Sequence, residues 1–177
     1  MAHLLSEWLL VDVINAVAAT TPTFSAAGNG VRLYPVNGDL DQGYRITYDL
    51  TGNASGAIGR WELNGGVTNQ SGYSAVCTNS GGGIGGSTVA NLGVSCNSGT
   101  ASSRHIGEFL MYRAQTGIRR VSIGQYGSFG AAQNARLSIG SYNDTATNIT
   151  SIRMNITTGA VTGTLRLFVL NPQRGWL

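Results

Sequence analysis

Ser151-Ile152-Arg153-Met154-Asn155-Ile156, followed by Thr164-Leu165-Arg166-Leu167-Phe168-Val169-Leu170, is the stretch whose reading decides the fold. In the first segment Ile152, Met154 and Ile156 alternate with Ser151, Arg153 and Asn155. In the second, Leu165, Leu167 and Val169 share one side, with Arg166 opposite, flanked by Thr164 and Phe168. A period of two is the pattern of a strand with one face buried. The link around Thr157–Thr162 carries Gly159, so the two segments read as a hairpin. Arg153 and Arg166 then fall on the polar faces of neighbouring strands.

The same alternation continues toward the N-terminus. Tyr44, Ile46, Tyr48 and Leu50 line one side of Tyr44–Leu50, with Arg45, Thr47 and Asp49 on the other. Val31–Val36, Ile58–Leu63, Tyr73–Cys77, Val89–Cys96, His105–Tyr112, Arg119–Tyr126 and Ala135–Tyr142 are further candidate strands. Asn37-Gly38, Asn64-Gly65-Gly66 and Thr158-Gly159 supply turns that accept positive φ. Asn79–Ser87, rich in glycine and serine, reads as a mobile loop by composition. No helical pattern stands out after residue 30. About ten short strands at close spacing are the pattern of a sandwich or jelly roll.

The first residues differ. Leu4, Leu5, Trp8, Leu9, Leu10, Val11, Val13, Ile14 and Val17 leave no broad polar side on a helix, so the segment must be covered on most sides. Two readings stand side by side: an arm laid against a neighbouring subunit, or a terminal helix or strand packed on its own domain. Thr20–Gly30 reads as a linker. The expected organisation is therefore an arm and linker over residues 1–30 and a β-sandwich over 31–177.

A chain of 177 residues fits one domain with a sizeable core. Only 11% of its residues are charged, against about 25% in an average soluble protein, while 42% are hydrophobic. That balance argues against disorder and for a surface that tolerates contact with other copies. Every basic residue is arginine, a side chain suited to interfaces. The arginines are scattered, with only Arg119 and Arg120 adjacent, which argues against nucleic-acid binding. Met1–Ala19 reads as neither a secretion signal nor a bilayer span, because Glu7 and Asp12 interrupt it. Cys77 and Cys96 read as free thiols in a reducing cytoplasm, with a disulfide as the alternative.

No pattern of catalytic chemistry emerges. Asp39 and Asp41 are the one close pair of carboxylates, and without a full calcium-loop pattern they read as two solvated acids in a turn. Ser102, Ser103 and His105 lack a nucleophile elbow. Gly81–Gly86 lacks the lysine and following helix that a phosphate loop needs. The expectation is a non-enzyme with no cofactor and no metal. Exposed aromatics stack on sugars and buried ones fill cores. Trp61, Tyr73, Tyr126 and Tyr142 are the candidates for either role.

Residues 105–170 carry a resemblance. Gly107-Glu108-Phe109-Leu110-Met111-Tyr112 comes first, then Ile149-Thr150-Ser151-Ile152-Arg153. The turn Thr157-Thr158-Gly159-Ala160 and the strand Gly163-Thr164-Leu165-Arg166-Leu167-Phe168-Val169-Leu170 complete the series. The series resembles a β-sandwich module of tailed-bacteriophage virion proteins, which often has glycine where this chain has Val169. The resemblance implies an all-β, jelly-roll-like antiparallel β-sandwich with a short apolar N-terminal arm. It also implies a homotrimer on the outside of a virion, assembled in the host cytoplasm and bound to the major capsid protein or another virion protein. It gives no reason to expect nucleic acid or membrane as partner. The expected function is capsid decoration (cement). Its candidate contacts are Leu4, Leu5, Trp8, Leu9, Val11, Val13, Ile14, Arg153 and Arg166. The alternative is a tail fibre or spike module that binds host polysaccharide through Trp61, Tyr73, Tyr126 and Tyr142.

Overall fold

A computed structural model of the chain describes residues 8–27, 34–55, 58–66, 70–78, 85–89, 92, 94–97, 101–129 and 134–170. Among these residues there are twelve strands and no helix. The strands are β1 (Trp8–Ala19), β2 (Thr23–Ser25), β3 (Gly43–Gly52), β4 (Ile58–Leu63), β5 (Gln70–Thr78) and β6 (Gly85–Val89). They continue as β7 (Val94–Asn97), β8 (Arg104–Tyr112), β9 (Arg120–Phe129), β10 (Asn134–Tyr142), β11 (Ser151–Ile156) and β12 (Val161–Leu170).

Two antiparallel sheets pack into a β-sandwich. The larger has the order β1-β12-β3-β8-β9-β10-β5-β6, and the smaller β2-β11-β4-β7. Setting β5, β6, β9 and β10 aside leaves two four-stranded sheets, 1-12-3-8 and 2-11-4-7. The chain passes between them at every step of the remaining series except β4 to β7, which is the connectivity of a jelly roll of two Greek keys. The four other strands widen the larger sheet beyond β8.

This topology revises several readings of the sequence. The strands at 151–156 and 161–170 are correctly placed but are not a hairpin. β11 pairs with β2 and β4, whereas β12 pairs with β1 and β3. The link between them crosses from one sheet to the other, so Arg153 and Arg166 lie on opposite outer faces of the sandwich. Thr23–Ser25, within the expected linker, is a strand pairing with Ser151–Arg153. Of the two readings of the N-terminal stretch, residues 8–19 form a strand packed on its own domain, paired along β12 from Trp8↔Leu170 to Ala19↔Val161. Residues on both sides of position 30 thus contribute to both sheets. Gly85–Ser87, expected within a loop, belong to β6, and Asn79–Ile84 lie outside the described residues. Val89–Cys96 is not one strand: its ends belong to β6 and β7. Tyr34–Val36 forms no strand, and residues 31–33 lie outside the described set.

The core fills the space between the sheets with the alternating side chains anticipated above. Tyr44, Ile46, Tyr48 and Leu50 of β3, Leu165, Leu167 and Val169 of β12, and Phe109 and Met111 of β8 come from the larger sheet. Phe24, Trp61, Leu63, Ile152, Met154 and Ile156 meet them from the smaller. Trp61 is the centre. Its ring lies 4.8 Å from Phe109 and 5.8 Å from Tyr48, so one side chain of β4 contacts two neighbouring strands opposite. Val11, Ile14 and Ala19 of β1 pack against the same cluster.

Polar groups in the interior are held by the chain. Asp41 is buried, not solvated as its turn suggested, and accepts hydrogen bonds from the Tyr34 and Tyr44 hydroxyls, both at 2.7 Å. Asp39 beside it is exposed and accepts one from the Thr116 backbone N–H. Arg120 is buried, and its guanidinium donates to the carbonyls of Ala114, Asp144 and Thr147. It also lies 5.4 Å from the Tyr142 ring. One arginine thus fastens two loops to β9. His105, on the inward side of β8, meets Tyr126 edge-on, and burial lowers its pKa from 6.5 to about 4.

Two outcomes follow from this interior. Trp61→Ala removes the ring that joins the sheets, and chemical denaturation should show a loss of about 3–5 kcal/mol. His105 is neutral when folded, and the unfolded chain gains its proton as pH falls below 6.5. The urea midpoint should therefore fall between pH 6.5 and about 4 and then level off as far as this group is concerned. His105→Leu should flatten that interval. Asp39, Asp49 and Asp144 are held below the usual carboxylate value by hydrogen bonds from Thr116, Arg104 and Thr147, so their losses come at lower pH.

Candidate interaction surface

β9 and β10 invert the usual polarity of a strand over a core. Between the buried Arg120, Tyr126 and Tyr142, their inward positions are small: Ser122, Gly124 and Ser128 on β9, and Ser138 and Gly140 on β10. Their outward positions are large and apolar: Val121, Ile123, Phe129, Leu137 and Ile139. At Gly140 the inner side has no room for more. A Cβ on Gly140 would lie 2.6 Å from the Leu92 carbonyl oxygen and 2.7 Å from the Leu92 Cα. Leu92 is itself fixed by its N–H on the Trp61 carbonyl, at 3.1 Å. Its carbonyl also accepts the Ser122 hydroxyl, at 3.4 Å.

Register places the outward side chains in rows across the sheet. One row runs Phe168, Arg45, Leu110, Ile123, Ile139, from β12 to β10. A second pairs Tyr112 with Val121. Trp8 reaches Tyr112 across Gly43, with ring centroids 6.1 Å apart. On the other side Ile106 stands opposite Gly127, over which the Phe129 ring leans. Ile106, Tyr112, Val121, Ile123, Phe129, Leu137 and Ile139 are each 40–51% exposed. Together they leave on the order of 600 Å² of apolar surface, at the upper end of what monomers show.

A groove of about 840 Å³ borders this field. Arg166, Thr47, Glu108, Gln125 and Leu137 form one wall, a single row by register. Asp49, Ile106 and Ala135 form the other, with Gly107 and Gly127 in the floor. The charges here are largely matched in place. Arg104 pairs with Asp49 at 2.6 Å and Arg45 with Glu108 at 3.2 Å. The Arg104 hydrogen bond is the main reason the Asp49 carboxyl titrates low, and Arg166 adds to it through its charge.

The residues singled out from the sequence scatter across the molecule. Leu4 and Leu5 lie outside the described residues. Val11 and Ile14 pack on the chain's own core. Leu9 is half-exposed opposite Val169, and Val13 pairs with Arg166 on the outer side of the larger sheet. Trp8 is the member of that group that joins the apolar field. Arg153 is bound within the chain: its guanidinium lies 2.6 Å from Glu62, whose carboxylate is buried and also accepts Asn155. Arg166 alone of the two arginines reaches the groove. Trp61, Tyr126 and Tyr142 are buried and present no ring face to solvent, while the Tyr73 side chain lies outside the described set. Among the described residues no three His, Cys, Asp or Glu side chains gather as metal ligands.

The residues that make the field were missed as a site. Their signal was present: Val121-Ser122-Ile123-Gly124 and Leu137-Ser138-Ile139-Gly140 alternate large with small. Alternation gives the faces of a strand but not which face is inward. Compared with known proteins, the chain matches no family model, no curated protein and no solved structure.

Proposed function

We propose that this chain is a structural protein of a virion, a capsid decoration subunit that stabilises the shell by contact rather than by catalysis. The observation that carries the reading is the apolar outer field of β8, β9 and β10. A protein that presents such a surface gains free energy when a neighbour covers it. Sparse charge and the resemblance of residues 105–170 to virion sandwich modules support the same reading. In this proposal the subunit is a homotrimer on the capsid surface, assembled in the host cytoplasm, with the major capsid protein as its other partner.

Shells lacking the chain test this. The added protein should cosediment with shells and raise the temperature at which they rupture, because a partner that binds only the intact state shifts the balance toward it. Ile123→Glu should remove both effects. No cosedimentation, or density for the chain at the tail tip of imaged virions, overturns the reading.

The groove favours a second reading, a tail fibre or spike module that binds host polysaccharide. Its carboxylates, amide, hydroxyl and guanidinium beside Ile106 and Leu137 suit the hydroxyls and C–H faces of a sugar. The aromatics first considered for this role do not line an open surface: Trp61, Tyr126 and Tyr142 are buried, and the Tyr73 side chain lies outside the described residues. Titration with host surface oligosaccharide should shift the Gln125 side-chain amide resonances, and Gln125→Ala should weaken binding about tenfold. An unchanged spectrum removes this reading.

A further inference from the structure

We propose that the outward face of β9 and β10 is a homotypic interface, closed in solution by a second copy of this chain. The inference rests on the assembly reading above and names the partner at that field.

The argument begins with the inversion. Ile123 and Ile139 face out while Ser122 and Gly140 face in, and the inner side is already closed by the Leu92 backbone. Turning either strand over would drive an isoleucine into that backbone. The apolar set is therefore outward in every arrangement that keeps the sandwich. The rule that places apolar side chains inside is then met only when another surface lies over them.

Area and charge select the partner. A standard interface takes about 800 Å² from each partner. The apolar field supplies most of that, and its margins at Leu110 and Phe168 supply the rest. The ion pairs Arg45–Glu108 and Arg104–Asp49 neutralise their own charges within one chain. Arg136 and Arg166 carry further positive charge at the groove, to one side of the apolar field. A second copy brings the same neutral, β-branched surface, so the two fields meet without charge conflict. Copies related by a rotation axis, three-fold in the homotrimer above, bring their fields together and close instead of growing into a filament.

Mass measurement on the full chain tests the inference. At tens of micromolar, sedimentation should give a multiple of 18.5 kDa, and the thermal midpoint should rise with concentration. The double variant Ile123→Glu, Ile139→Glu should sediment as one copy with a midpoint independent of concentration. Should the glutamates prevent folding, Ile123→Thr with Ile139→Thr keeps strand propensity and should still weaken association at least tenfold. A wild-type chain that sediments as one copy overturns the inference, and so does a folded variant that keeps the multiple mass. A one-copy chain that floats with phosphatidylcholine–phosphatidylglycerol vesicles assigns the field to lipid and overturns it as well. A wild-type chain that sediments as one copy yet cosediments with shells discards this interface and keeps the decoration reading. A multiple-copy chain that ignores shells does the reverse.

Discussion

The contact between the Leu92 backbone and β9–β10 governs the outer half of this molecule. Trp61 connects it to the core: its ring joins the sheets, and its carbonyl holds the Leu92 N–H. Leu92 then lies so close over Gly140 and Ser122 that those positions take no larger side chain. Small residues inward leave the large ones outward, since side chains alternate strictly along a strand. The interior thus decides which positions of β9 and β10 face out, and not which side chains stand there. Replacing its members by polar residues would not disturb the inner packing, so nothing in the fold of a single chain requires Ile123 or Ile139 to be apolar.

The sequence disclosed strands better than it disclosed their neighbours. Tyr44–Leu50, Ile58–Leu63 and Ser151–Ile156 appear where alternation placed them, because burial of one face is local in its pattern. Pairing is a long-range property. The short link after Ile156 suggested a hairpin, yet β11 and β12 belong to different sheets, and no residue of the link encodes that separation. Thr23–Ser25 is too short to show a period. The apolar run at Trp8–Ala19 looked unlike a strand because it serves two surfaces. A register shift between Leu10 and Asp12 sends Val11 and Ile14 to the core and Trp8 to the outer face. Asp41 could not be told from a solvated acid until the Tyr34 and Tyr44 hydroxyls were seen to meet it.

Several arginines hold the chain's own groups together. Arg120 spends its donors on three backbone carbonyls, and Arg153 is held by the buried Glu62. Arg45 and Arg104 cross between strands to Glu108 and Asp49. The planar fork of arginine suits these bidentate and carbonyl contacts in a way that lysine does not. Four of the eleven arginines are therefore committed to intramolecular work, while Arg113, Arg119 and Arg166 are exposed. The scatter of arginines along the chain, read at first as a lack of any basic stripe, follows from the scatter of the groups they serve.

A β-sandwich can associate through its sheet edges or through its faces. The β1 edge is poorly made for pairing. Its register with β12 shifts between Leu10 and Asp12 and again between Ala16 and Ala19, and Ala18 has a φ of 48°. Irregularities of this kind interrupt the row of free N–H and C=O groups that another strand would need, a common defence of edge strands. The outer face of β9 and β10 has the opposite character: regular pairing over its whole length, no register shift and a closely set apolar surface. Backbone pairing is discouraged along the irregular β1 edge, and side-chain packing is offered where the backbone is fully paired. That division gives association a defined geometry, because a face of interlocking isoleucines fixes one arrangement while an open edge accepts any strand.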